Sequence, residues 1–286
     1  MKRASIKSNK NMMAFGLSFF CLIMLCANSA FAMDPLGPPA SDIQKWQLYT
    51  GFEYSLSSMD IKLTNGSWTG QAAGQPDTSG DAIDLDIDDI ESDKLNAYFG
   101  YGIGRNWEAF VRLGAASSEF SNSDLNPPGK FDGDYEPFIG GGLRLNLLED
   151  RNYKIGAVAQ ASWERHSGKI TPSLYTTPSF VTIGLKKIQV AVGALYQWTD
   201  YISFYGGPFY YLLSGELKDN FLGVGIDEYD DPYFENDEFT WDIESDSEYG
   251  GYLGARFEID KNFFLNCEYQ MTSNSNTFAA GIIWKY

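Results

Sequence analysis

Along most of the chain, hydrophobic residues stand at every second position, in stretches broken by turn residues. Such alternation gives a β-strand one apolar and one polar face. The clearest stretch closes the chain: Phe278, Ala280, Ile282, Trp284 and Tyr286 share a face. The first runs from Gln44 to Leu63, with Trp46, Leu48, Phe52, Tyr54 and Leu56 on one face. It then passes to Met59, Ile61 and Leu63, of the opposite parity. A bulge near Ser57-Ser58 would account for that change.

Eight more stretches lie between these two, joined in pairs by tight turns. Gly104-Arg105-Asn106 links a second strand (Leu95 to Ile103) to a third (Trp107 to Ala115). Glu149-Asp150-Arg151-Asn152 links the fourth (Ile139 to Leu147) to the fifth (Tyr153 to Trp163). Thr199-Asp200 links the sixth (Ile188 to Trp198) to a seventh, about Tyr201 to Leu217, whose two faces are both apolar and whose orientation the pattern leaves open. Asp260-Lys261-Asn262 links the eighth (Tyr249 to Ile259) to the ninth (Phe263 to Met271), and Ser273 to Asn276 is a short tip before the tenth. Long loops separate the pairs: Thr64 to Asp93, Asn122 to Asp134, His166 to Ser179 and Lys218 to Ser247. Short turns at one end and long loops at the other predict an all-β, transmembrane, antiparallel up-and-down barrel of about ten strands, with eight as the alternative.

A soluble sandwich or lipocalin-like barrel is the competing reading. It would leave the last strand as an apolar free edge, prone to aggregate. It also gives no reason for Trp46, Trp107, Tyr153, Trp163, Trp198, Tyr201 and Trp284 to gather at strand ends, where a membrane interface would place them. The start of the chain agrees with export. Lys2, Arg3, Lys7 and Lys10 precede an apolar run from Met12 to Ala27, and Ala30-Phe31-Ala32 is a cleavage site of the A-x-A kind. The run is short for a membrane helix of ~20 residues. Leu25 and Phe20, before Cys26 and Cys21, are too large for a lipoprotein signal. The expected organisation is therefore a cleaved secretory signal peptide at 1–32, a proline-rich periplasmic lead at 33–43 acting as an extended tether, and the barrel at 44–286.

The closing residues carry a resemblance. Gly281, Trp284 and Tyr286 match the terminal insertion signal of bacterial outer-membrane β-barrel proteins, polar-x-Gly-x-x-aromatic-x-aromatic, with Ala279 where those proteins usually have a polar residue. The resemblance implies a place in the bacterial outer membrane, contact with its lipid and lipopolysaccharide, and delivery by the barrel-assembly machinery.

Charge and cysteine content narrow the picture. The chain has 21 Lys and Arg against 38 Asp and Glu, a net charge of −17; loss of the first 32 residues removes four cations and no acid. That argues against nucleic acid as a partner. Cleavage also removes two of the 3 cysteines, so Cys267 has no partner for a disulfide. It shares a face with Phe263, Leu265, Tyr269 and Met271, and reads as a small lipid-facing residue.

Candidate chemistry sits on the polar faces and the loops. Glu53, Glu108, Glu136, Glu258 and Glu268 with Arg112, Arg144, Lys154 and Arg256 would meet across the lumen. A barrel of ten strands is too narrow for an open aqueous channel, so these charges are expected to plug it as an ion-pair network; a narrow channel for small solutes is the alternative. The loops are acidic, with twelve acids and no base from Asp219 to Glu248. Asp84, Asp86 and Asp88, with Asp230 and Asp231, are candidate ligands for Ca2+ or Mg2+; the competing reading is a solvated surface. No other cofactor is expected. Asp84-Leu85-Asp86 and Glu164-Arg165-His166 are similar to the paired motifs of the omptin proteases, themselves ten-stranded barrels. Glu stands for Asp, however, and the pairs fall on the wrong loops. The expectation is a non-enzymatic outer-membrane barrel with a structural or surface-interaction role.

Overall fold

The computed structural model describes residues 33–41, 43–72, 76–122, 129–172, 179–226, 232–245 and 248–286. The leader expected at 1–32 and the pair Asp230-Asp231 lie outside the described residues. Among the described residues thirteen strands follow one another: β1 Leu48–Ala72, β2 Thr78–Asp81, β3 Leu85–Gly102, β4 Trp107–Asn122, β5 Gly129–Gly133, β6 Glu136–Glu149 and β7 Tyr153–Pro172. Then come β8 Ser179–Gln197, β9 Ile202–Ile226, β10 Pro232–Ser245, β11 Tyr249–Asp260, β12 Phe263–Met271 and β13 Ser275–Lys285. All pair antiparallel in one sheet that closes on itself.

The closure is double. Near the short turns the ring reads β1, β3, β4, β6, β7, β8, β9, β11, β12, β13 and back to β1, ten strands. Towards the other end β11, β12 and β13 stop, and β10 takes their place between β9 and β1. There β5 succeeds β6 between β4 and β7. The upper ring thus holds eight strands: β1, β3, β4, β5, β7, β8, β9 and β10. We refer to it as the cap.

One strand shows how sequence and surroundings match. On β8, Ile188, Val190 and Val192 point outward and are about half exposed, while Lys187 and Gln189 point inward and are buried. Above Lys186 both faces change character. Val181, Ile183 and Leu185 are buried inside, and Thr182 and Gly184 look out. The lower section is therefore apolar outside and polar inside, which suits lipid; the cap is polar outside and apolar inside, which suits water. On β7 the outward aromatics Tyr153 and Trp163 bound the apolar band. Ten residues at about 3.3 Å each, tilted near 40°, span roughly 25 Å, the height of a membrane-spanning barrel wall.

This inversion corrects the reading of the first strand. β1 itself has no bulge near Ser57-Ser58: its register against β13 runs unbroken from Tyr49 to Met59, and where its pairing with β3 shifts, between Leu48 and Ile61, the extra residue is on β3. Odd-numbered residues face inward throughout, polar at Glu53, Ser55 and Ser57, then apolar at Met59, Ile61 and Leu63. The pattern changes because the solvent outside changes. The irregularities sit higher, between Thr64 and Ser67 and at Asp89. Asp89 has a φ of 54° and donates its N–H to Asp60, and the inward residues change there from Ile87 to Ile90.

Much of what was expected as loop at Thr64 to Asp93, His166 to Ser179 and Lys218 to Ser247 is strand: β1 and β9 run to 25 residues each, β7 continues to Pro172, and β10, like β5 within Asn122 to Asp134, is a strand in its own right. The short turns fall where expected, as in the bond from Asp150 N–H to Tyr153 O. The orientation of β9 is settled: Tyr205, Phe209, Tyr211, Leu213 and Leu217 are inside. Cys267 keeps its outward parity, but Phe278, Ala280 and Leu56 cover it.

Candidate functional site in the barrel lumen

The interior of the lower section is occupied by the chain itself. Met33 to Ser41, expected as a periplasmic tether, is buried inside the ring. A ring of ten strands is wider than wall side chains alone can fill, and this segment fills the remainder. It starts beside β13, where Met33 N–H donates to Thr277 Oγ1 at 2.8 Å and Thr277 returns a bond to Met33 O at 3.1 Å. Leu36 N–H donates to Glu268 Oε1 at 2.7 Å. Near the short-turn end the Asn146 amide holds Ser41 by both its N–H and its C=O, at 2.6 and 2.8 Å.

Three groups of charged side chains surround it. Lowest, Arg144 pairs with Glu108, which also accepts from Tyr49. The Tyr49 and Tyr98 hydroxyls are 2.8 Å apart. Arg144 reaches Leu36 O at 3.1 Å. Gly100 makes this possible: a Cβ there would lie 1.9 Å from the Tyr49 ring. In the middle, Arg112 donates to Gln160 at 2.7 Å and approaches Glu53 at 3.2 Å, beneath the faces of Tyr98 and Phe110. A relay of amides continues from Gln160 to Gln189 (2.7 Å) and from Gln189 to Gln270 (3.1 Å). Gln160 and Gln270 also donate to Asp34 O, at 3.1 and 3.0 Å.

Highest, just under the apolar interior of the cap, Lys94 lies 2.7 Å from both Asp34 and Glu164. Glu164 also pairs with Lys187, and His166 Nε2 stands 3.4 Å from it. Ser162 donates to the second oxygen of Asp34. Two cations and two carboxylates here leave no net charge, which is what burial demands. A cavity of about 30 Å3 remains beside Gly37, Tyr49, Glu53 and Arg112, room for a water or two rather than a solute.

Of the expected luminal network, Glu53 with Arg112 and Glu108 with Arg144 are ion pairs inside the ring, Glu268 bonds to the segment, and Arg256 is buried and bonds to Asn266; Lys154 pairs instead with the exposed Glu149. The pattern missed its central members, Asp34, Lys94, Lys187 and His166. Lys94 and Lys187 stood just before the expected starts of the second and sixth strands, His166 in a stretch taken for loop, and Asp34 in the lead.

The acidic candidates lie elsewhere. Asp84, Asp86 and Asp88 are exposed on the outer face of the cap, and Lys62 stands opposite Asp86 in the register. Asp230 and Asp231 are outside the described residues, among which no group of three or more His, Cys, Asp or Glu is arranged to hold a metal. Glu164 and His166 face inward while Asp84 and Asp86 face outward, so the two motifs similar to those of omptins lie on opposite sides of the wall. At the chain's end Trp284 and Tyr286 are exposed on the outer face near the short turns, and Gly281 faces inward beside Glu53.

No protein-family model matches the sequence, and no curated protein matches it. Several solved structures resemble it at low identity, with TM-scores below 0.5. The outer membrane protease OmpT of Escherichia coli is 10% identical, with 86% of this chain and 99% of that one covered and a TM-score of 0.47. The translocator domain of the autotransporter NalP of Neisseria meningitidis is 11% identical (86% and 90% covered, TM-score 0.41). The toluene transporter TbuX of Ralstonia pickettii is 11% identical (91% and 95% covered, TM-score 0.37). The barrel itself follows from the chain's own strand pairing, which closes the sheet from β13 through β1 to β3.

Proposed function

We propose that the chain is an exported bacterial outer-membrane protein whose work is done by the outside of its cap, as a structural or surface-interaction platform, without catalysis and without conduction. The observation that supports this reading is the filled interior. The cap holds Ile61, Leu63, Phe120, Phe131, Ile183 and Trp241 in one apolar core, and the lumen below holds Met33–Ser41. A barrel filled along its length offers its outer surface, and here that surface is a folded, water-facing one carried above the membrane. The belt around Ile188 and Val190 would meet lipid and lipopolysaccharide, with the short-turn end in the periplasm. Gly281, Trp284 and Tyr286 would serve as the insertion signal read by the barrel-assembly machinery.

Planar bilayers test the central point. The reading expects no steady conductance from the purified protein; a steady, ion-selective current would replace it with the narrow-channel alternative. Location is tested separately. The protein should fractionate with outer membranes, migrate differently on gels before and after heating, and begin at Met33 on N-terminal sequencing. Folded protein in the soluble periplasm would overturn the placement.

A further inference from the structure

Met33–Ser41 is held in an unusual way for a buried segment. Among the described residues, no backbone–backbone bond ties it to the wall. Its bonds run to wall side chains: Thr277, Gln270, Gln160, Glu268, Arg144 and Asn146 meet its amides and carbonyls in turn. That is how a receptor holds an extended peptide, not how a sheet holds a strand. We propose that the lumen is a peptide-binding site and that Met33–Ser41 is its resident, exchangeable ligand, locked by the Asp34 carboxylate on Lys94 and Ser162.

Three features support recognition rather than filling. The segment contains Pro35, Pro38 and Pro39, which lack an N–H and restrict the free chain, so fewer donors need partners and less freedom is lost on binding. The wall is shaped for it: at Gly156 on β7 a Cβ would come within 2.3 Å of Pro39 O and 2.8 Å of Ala40 Cα. The wall also has the complementary charge. Of its buried charged side chains six are Lys or Arg and three are Glu, with half-buried Glu53 a fourth acid, in a chain whose net charge is −17. An extended peptide with an acidic second residue fits that surplus, and Asp34 supplies it, 2.7 Å from Lys94.

The test uses the whole chain from Met33 in detergent micelles, carrying Cys267→Ser and Leu36→Cys, and measures the rate of labelling by a water-soluble maleimide. Ala40→Cys repeats it in case Leu36→Cys does not fold. The thiol should react at least about tenfold more slowly than in the urea-unfolded chain. Asp34→Asn and Gly156→Val should each speed labelling by about tenfold, since one removes the charge-assisted lock and the other fills the space of the backbone. An excess of the free nonapeptide with the sequence of Met33–Ser41 should speed it too, and the same peptide with Asn in second place should do so far less. Labelling as fast as in the unfolded chain would overturn the proposal, because the segment would not occupy the lumen. Slow labelling indifferent to Asp34→Asn and to added peptide would also overturn it, leaving the segment a fixed part of the core.

Discussion

Ile183 and Lys187 are four residues apart on β8, point the same way and are equally shielded, each about 2% exposed. One is packed among hydrocarbon and the other is paired with Glu164. The difference lies in what surrounds the wall at each level. Around the cap is water, so an apolar interior is stabilised by burial in the ordinary way. Around the lower section is lipid, which gives an apolar side chain no reason to prefer the inside; the interior is then free to be polar, provided its groups satisfy one another. Ring size reinforces the contrast. Eight strands enclose a space that side chains fill unaided, whereas ten leave a gap, filled here by Met33–Ser41.

Four measurements put this contrast at risk. The largest effect belongs to Lys94→Met, which leaves Asp34 and Glu164 buried beside one cation fewer. It should lower stability by about 3–5 kcal/mol in guanidinium unfolding, and adding Asp34→Asn should restore part of the loss. A loss below about 0.5 kcal/mol would mean that the lumen is hydrated and the network dispensable. In the cap, Ile183→Ala should cost about 2–5 kcal/mol by opening a cavity. Unchanged unfolding would mean that the cap interior is loosely packed.

On the outer face of the same strand, Val190→Arg should cost about 2–4 kcal/mol in lipid, whereas Thr182→Arg should stay within about 0.5 kcal/mol because water already surrounds it. Equal costs at the two positions would erase the boundary at Lys186. The smallest effect concerns the acids of the cap. If Asp84, Asp86 and Asp88 hold a divalent ion, millimolar calcium should slow proteolysis of the cap relative to chelator, and changing all three to Asn should abolish the protection. Sodium chloride at about 0.15 M, which only screens, should not substitute. Identical cleavage in calcium and chelator would leave a plain solvated surface.

How much of this could be read from the chain follows from the same contrast. Alternation alone located the membrane-spanning stretches, because there apolar-out and polar-in coincide with one uninterrupted parity, as in Leu143 against Arg144. It failed wherever the solvent changed. At Ser57 the apolar residues move to the other parity while the register of β1 against β13 stays unbroken. In β10 and the upper parts of β7 and β9, acids and glycines facing water resemble loop sequence, although the backbone continues as strand. His166 was lost in that way. The insertion of Met33–Ser41 was illegible for another reason: a proline-bearing segment has the same composition whether it hangs free or lies in a receptor, and only the long-range partners, Thr277 and Glu268 among them, decide.

The consecutive lysines Lys186 and Lys187 set the height at which the molecule floats. One points out of the wall and the next points in, at the level where both faces change character. Sinking the barrel by one residue pair would carry a ring of outward polar groups, Lys186 among them, into hydrocarbon; raising it would lift Ile188 and its neighbours out into water. Each direction meets a restoring force, in addition to the modest cost of thinning or thickening the bilayer. The cap is thus carried at a fixed elevation above the lipid, like a float on a keel, and whatever it meets it would meet at that distance.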